Sequence, residues 1–196
     1  AGVYYMRLAQ RIVSAIASLT SEGKIYEVDL RLRPSGEKGP VATRLDGFAT
    51  YQADAAWTWE HMALTRTRAI AGPEEITRAI ETDIRTALTG KRNPDRLVVD
   101  VADMRRRMAR EHPGRSPWDI KHRPGGLVDV EFVTQYLQLR HAAERPEVLA
   151  MATAEALGNL KAAGLLDPDV EAGLQTALLL WHRVQGVIRL TAEEGF

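Results

Sequence analysis

Asp29, Arg31 and Arg33 stand at alternate positions in the run Ile25 to Gly36, which reads I-Y-E-V-D-L-R-L-R-P-S-G. Tyr26, Val28, Leu30 and Leu32 fill the intervening positions, and Glu27 begins the charged series. Side chains on a strand point to opposite faces with period two. The pattern therefore predicts a strand with one face on a core and acid, acid, base, base along the other. Same-face neighbours sit roughly 6.5–7 Å apart at the rise of a strand. A carboxylate at that spacing from two guanidiniums could bind a divalent cation beside a polyphosphate, because guanidinium forks match phosphate oxygens. The competing reading is an exposed strand face whose charges neutralise one another, as charged residues usually face water. Pro34 ends the pairing, and Ser35-Gly36 begins a turn.

Two further clusters carry charge in chemically useful types. Glu60, Arg66 and Arg68 form one; they could line a cleft or could form a salt bridge holding helix to strand. Lys121, Asp129 and Glu131 form the other, around Gly125-Gly126, a pair that allows close backbone approach. If a helix starts there, Asp129 and Glu131 point about 200° apart and cannot share an ion. Glu131, Gln135 and Gln138 then make a polar stripe facing a surface or cleft. Asp129 falls on the apolar side, where it needs a partner such as Lys121 or an arginine. Trp57 and Trp59 read as packing rather than as a base-stacking platform.

Composition narrows the function classes. The chain has 196 residues, 45% of them hydrophobic, with 26 basic and 26 acidic side chains. This balance argues against a nucleic-acid or membrane-surface binder, which would show a basic excess. The chain has no Cys, so it has neither disulfides nor thiolate metal sites, and a reducing cytoplasm fits. No apolar run approaches the ~20 residues of a membrane span. The five histidines show no paired ligand spacing, and Gly90-Lys91 lacks the upstream glycines of a phosphate-binding loop. Arg105-Arg106-Arg107 with Arg110 reads as a solvated helix face, with protein docking as the alternative.

The elements that must position these residues follow from periodicity. A helix is predicted over 4–19, then a turn, the strand from Ile25, and a return strand over 41–45. Asp46 is placed as the cap of a helix running through Tyr51, followed by a helix over 53–62 and a strand over 63–71. From Pro73 the chain reads as helix: a start at Pro73-Glu74-Glu75, a break over 90–94, and a basic helix over 97–110. An irregular stretch over 111–123, with an extended piece at 118–121, leads to helices over 127–140, 147–163 and 169–190. The fold class is α+β, mostly α. Residues 1–72 would form one part and residues 73–196 a helical bundle.

Y-E-V-D-L-R-L-R-P-S-G resembles the signature of the glutamine synthetase adenylyltransferase family. The resemblance continues at Tyr51-Gln52, Ala56-Trp57-Thr58-Trp59-Glu60-His61 and Ala63-Leu64-Thr65-Arg66, then at Asp119-Ile120-Lys121 and Gly125 to Phe132. It implies part of a nucleotidyltransferase fold with few antiparallel strands, followed by the family's helical domain. It implies ATP as substrate, Mg²⁺ as cofactor, and glutamine synthetase and the PII signal protein as partners. Asp29 would be a catalytic, metal-binding carboxylate; Arg31, Arg33, Arg66, Lys121 and Glu131 would bind the nucleotide. The T-W-E-H wording is most like the family's C-terminal, AMP-attaching half. The AMP-removing half, and a helical module docking glutamine synthetase or PII, are the alternatives. The family's upstream G-S-x-x-D-x-D segment does not precede Ile25, and Asp167-Pro168-Asp169 reads as a helix N-terminus. The chain is accordingly expected to be a piece of a larger enzyme, inactive by itself.

Overall fold

A computed structural model describes residues 2–21, 23–24, 26–114, 116 and 118–191. Helix α1 spans Gly2–Ile16. Strands β1 (Leu19–Thr20) and β2 (Gly23–Lys24) pair antiparallel, with Leu19 opposite Lys24. The helices that follow are α2 (Leu45–Asp54), α3 (Thr58–Leu64), α4 (Glu74–Thr89) and α5 (Pro94–Glu111). Then come α6 (Leu127–His141), α7 (Thr153–Ala162) and α8 (Pro168–Thr191). Short 3₁₀ turns occupy Gly36–Lys38 and Pro146–Val148. The described chain is therefore mostly helical.

Three predicted strands are corrected. Residues 26–30 form no ladder, and residues 31–38 fold into turns; Ile25, where that strand was to begin, lies outside the described residues. Alternation makes one face apolar but supplies no partner, and an unpaired extended segment is not a sheet. Residues 41–44 lead straight into α2, and residues 63–71 are the end of α3, a turn and an irregular stretch. Asp46 is corrected as well. It lies in the first turn of α2, after an N-cap at Arg44, and binds that residue's guanidinium at 2.9 Å. The helix predicted over 53–62 is broken at residues 55–57, between α2 and α3.

The bundle is organised around α6, which packs against α3, α5, α7 and α8. That central place explains its composition. Leu127, Val128, Val130, Thr134, Gln135, Gln138 and Leu139 are all buried and cover about half of the helix circumference, while Val133 and Arg140 on the opposite side are exposed. The expected polar stripe of Gln135 and Gln138 thus faces inward, and Gln138 accepts from the Ala150 amide at 2.9 Å. One apolar cluster joins α3, α4, α5 and α6 through Met62, Leu64, Ile84, Leu88, Leu97 and Leu139. Another joins α6, α7 and α8 through Leu127, Val130, Leu157 and Leu178.

Helix boundaries follow local chemistry. Asn93 caps α5 by accepting from the Arg96 amide at 3.0 Å, and Pro94 occupies the first turn, where its missing N–H costs nothing. Asp167 accepts from the amides of Asp169 and Val170, so the Asp-Pro-Asp segment is a helix N-terminus as its sequence indicates. Asn93→Ala is expected to destabilise the chain by about 1 kcal/mol. Urea unfolding would measure this, and no change would mean that solvent serves the Arg96 amide equally well.

Candidate functional site

The Asp29 segment is held by its own charges. The Arg31 guanidinium donates to both Asp29 oxygens, from Nε at 3.0 Å to each and from Nη2 at 2.7 Å to Oδ2. The Arg31 amide adds a bond to Oδ1 at 2.9 Å. An Asp side chain that accepts from the amide two residues on forms a local turn, and that turn brings the two side chains together. Arg33 turns the other way. It donates to the carbonyls of Leu30 (2.7 Å), Glu37 (2.9 Å) and Gly39 (3.1 Å) and closes the loop that Pro34 opens. These bonds take three of its five N–H donors.

The Arg31 side chain, then the Arg31 amide, hold the exposed Asp29 carboxyl down at about 2, against an ordinary 3.8. Because the folded value is depressed, the pair's contribution is fully present above the ordinary value and is lost as pH falls through about 2. Carboxyl-carbon NMR should show Asp29 titrating near 2. A midpoint near 3.8 would mean that the pair does not persist in solution.

Arg66 and Glu131, 65 positions apart in sequence, form an ion pair at 2.6 Å. It ties the turn after α3 to the second turn of α6. The two line a cleft of about 590 Å³ with Met151, Thr153, Gln175 and His182. Glu60 is buried, and its carboxylate accepts from the Tyr51 hydroxyl (2.7 Å) and the Trp57 amide (2.8 Å). It therefore joins α2 to α3, and no arginine contacts it in the described structure. Arg68 is exposed on the irregular stretch after α3.

A second cleft, of about 750 Å³, lies among α2, α3, α4 and α5 and is lined by Trp57, Trp59, His61 and Arg92 among others. Here His61 bonds the Gln52 carbonyl through Nε2 at 3.0 Å and Arg92 through Nδ1 at 3.3 Å. Arg92 donates to the carbonyls of Ala87, Leu88 and Gly90, closing the C-terminus of α4. Burial, then the Arg92 charge, push the His61 imidazole below its usual range. Neither cleft is lined by Asp29, Arg31, Arg33 or Lys121.

Lys121 is exposed on a turn over 119–126 that leads into α6. Asp129 receives its expected basic partner, and that partner is Arg105 of α5. The run Arg105-Arg106-Arg107 is thereby corrected as a wholly solvated face. Arg106, Arg107 and Arg110 are exposed, but the Arg105 side chain is only 19% accessible. The missed signal was helical spacing. Leu97, Val101 and Arg105 fall on one stripe, and Leu97 is in the core.

Asp29 offers a hard, ionised oxygen pair of the kind that Mg²⁺ takes one or two of from protein. Both oxygens are engaged by Arg31, however. Among the described residues, no group of three or more His, Asp or Glu side chains could hold a metal ion. Among the described residues Asp29 is thus a single candidate ligand and not a complete metal site.

Residues 1–83 match the model of the glutamate-ammonia ligase adenylyltransferase family, and residues 96–195 match that of the GlnD PII-uridylyltransferase family. A bifunctional glutamine synthetase adenylyltransferase/adenylyl-removing enzyme of Xanthobacter autotrophicus is 48% identical over 190 residues, covering 97% of this chain and 19% of the relative. Proteins of the same description from Rhodopseudomonas palustris (46%) and Bradyrhizobium diazoefficiens (44%) each match over 193 residues and 98% of the chain. They are covered over 20% and 19% of their own lengths. The chain belongs to the glutamine synthetase adenylyltransferase family. It spans about a fifth of the length of the curated relatives it matches. In this adenylyltransferase-family chain, Asp29, Arg31, Arg33 and Arg66 fall in the first matched range, and Lys121, Asp129 and Glu131 in the second. The Arg66–Glu131 ion pair bridges the two. No helix among the described residues is long and apolar enough to cross a membrane.

Proposed function

We propose that the protein of which this chain is part transfers AMP from ATP to a tyrosine hydroxyl of glutamine synthetase. The tyrosyl oxygen bonds to the α-phosphorus, the bond to the bridging oxygen breaks, and pyrophosphate leaves with that electron pair. The phenolic proton is released. The observation that carries this reading is the Asp29–Arg31–Arg33 segment inside the adenylyltransferase-matched range. Its relatives of 44–48% identity are named as enzymes of this activity.

In this reading residues 1–72 belong to a catalytic domain of nucleotidyltransferase fold, and residues 73–196 are its helical partner. Asp29 serves as one metal-binding carboxylate and polypeptide outside this chain supplies the others. A divalent ion held by such carboxylates would supply neutralisation of triphosphate charge and activation of the attacking oxygen. Arg31 is the ready phosphate ligand, since it is exposed and can leave Asp29 to a cation. Arg33 keeps two N–H donors for phosphate while fixing the loop. Arg66 from the catalytic part, and Glu131 and Lys121 from the helical side, hold the nucleotide. The protein works in the cytoplasm, where its acceptor and ATP are found.

The match of residues 96–195 to a PII-uridylyltransferase family supports a second reading. There the helical part docks the PII protein or glutamine synthetase and governs catalysis carried out elsewhere. The test is donor and acceptor chemistry with the full-length protein. Label from α-labelled ATP is expected on a tyrosine of glutamine synthetase, with one pyrophosphate per AMP. Label passing from UTP to PII instead would overturn the proposal.

A further inference from the structure

We infer that Arg105 is a positioning residue for nucleotidyl transfer, acting through the 119–126 turn that carries Lys121, with Trp181 holding the same turn from α8. The inference rests on the nucleotide-binding role proposed for Lys121. Lys121 is an exposed, flexible side chain, and its reach is set by where its backbone is held. That backbone is fixed from three elements at once.

From α5, the Arg105 guanidinium binds the Asp129 carboxylate through Nε and donates through Nη2 to the His122 carbonyl at 2.9 Å. From α8, the Trp181 indole N–H donates to the Gly125 carbonyl at 3.0 Å. From α6, Asp129 Oδ2 accepts from the Gly125 amide at 2.6 Å, while the Val128 amide donates to the Lys121 carbonyl itself at 3.0 Å. The His112 ring, at the end of α5, stacks on His122 with centroids 4.2 Å apart. Gly125 has φ +74°, and a Cβ at Gly126 would collide with the Ile120 carbonyl. The turn therefore has one backbone path, and both neighbours of its central stretch are pinned.

Arg105 is central to the clamp because its planar fork reaches the Asp129 carboxylate and the His122 carbonyl in one fixed geometry. Lysine there keeps the charge, satisfies Asp129 and releases the His122 carbonyl. A shift of about 1 Å at a contact residue can cost up to about a hundredfold in rate or binding. One lost clamp bond of several should move Lys121 less than that.

The test is a double-mutant cycle in the full-length protein, reading KM for ATP and kcat in AMP transfer to glutamine synthetase. Lys121→Ala and Arg105→Lys are each expected to raise KM about tenfold with kcat within about twofold. The double variant should be no worse than Lys121→Ala alone, because both changes remove one contact. Trp181→Phe keeps the ring and loses the donor, and should raise KM two- to threefold, again only when Lys121 is present. It serves if Arg105→Lys does not fold. No effect of Lys121→Ala would overturn the proposed role of Lys121, and this inference with it. A KM effect of Lys121→Ala with no effect of Arg105→Lys or Trp181→Phe, or with effects that add, would overturn the inference alone.

Discussion

Leu157→Ala is expected to lower the stability of the bundle by about 3–4 kcal/mol. Leu157 is 0% exposed and sits where α6, α7 and α8 meet, against Leu127, Val130 and Leu178, with Leu174 and Trp181 at the margin. The substitution removes three carbons, worth about 2.4 kcal/mol in transfer alone. Three helices cannot all relax into the gap, so a cavity term adds to it. With an m value of about 2.5 kcal/mol/M for a chain of this size, the urea midpoint should fall by about 1.4 M. A loss under about 1 kcal/mol would mean that the three helices do not pack around this side chain. The same substitution bears on the turn that carries Lys121, since Trp181 borders this cluster while its indole nitrogen reaches Gly125.

The helical part of the fold was legible because its signals are local and long. α4, α5, α6 and α8 each repeat apolar residues over several turns, and Pro73, Pro94 and Pro168 mark starts that proline tolerates. The strands were not legible, because pairing is not local. Of the four apolar positions expected on a core, Val28 and Leu30 are half-buried while Tyr26 and Leu32 are exposed, and a ladder also needs a second strand, which periodicity cannot announce. Of the charged series, Asp29 and Arg31 do meet, but through a local turn in which the Arg31 amide also bonds the carboxylate.

The candidate site was legible in its residues and not in its pairings. Arg66 and Glu131 were both singled out, but nothing in the chain says that residues 65 apart will meet. Glu60 was read either as lining a cleft with Arg66 or as salt-bridging helix to strand. It instead accepts from the Tyr51 hydroxyl, before the break at residues 55–57, and from the Trp57 amide at its end. Arg105 was hidden inside a run of three arginines, where composition suggests solvent; only its spacing from Leu97 points it inward. Asp129 was read correctly as needing a partner, since a carboxylate on an apolar helix side must be paired.

Asp29 is the residue on which the functional account turns. Asparagine there keeps an oxygen that the Arg31 amide and side chain can still reach, so the loop should keep its shape. It loses the charge that a divalent ion and a triphosphate require. Residues that only support metal ligands typically cost 10–100-fold when changed, so a ligand itself should cost at least about a hundredfold. The decisive measurement is therefore made on the full-length protein, wild type against Asp29→Asn, with circular dichroism confirming the fold. AMP incorporation into glutamine synthetase from ATP and phosphate-dependent removal of AMP are followed side by side. The account predicts that incorporation falls at least about a hundredfold while removal stays within about twofold. Equal incorporation by both proteins, or loss of removal with incorporation intact, would contradict it.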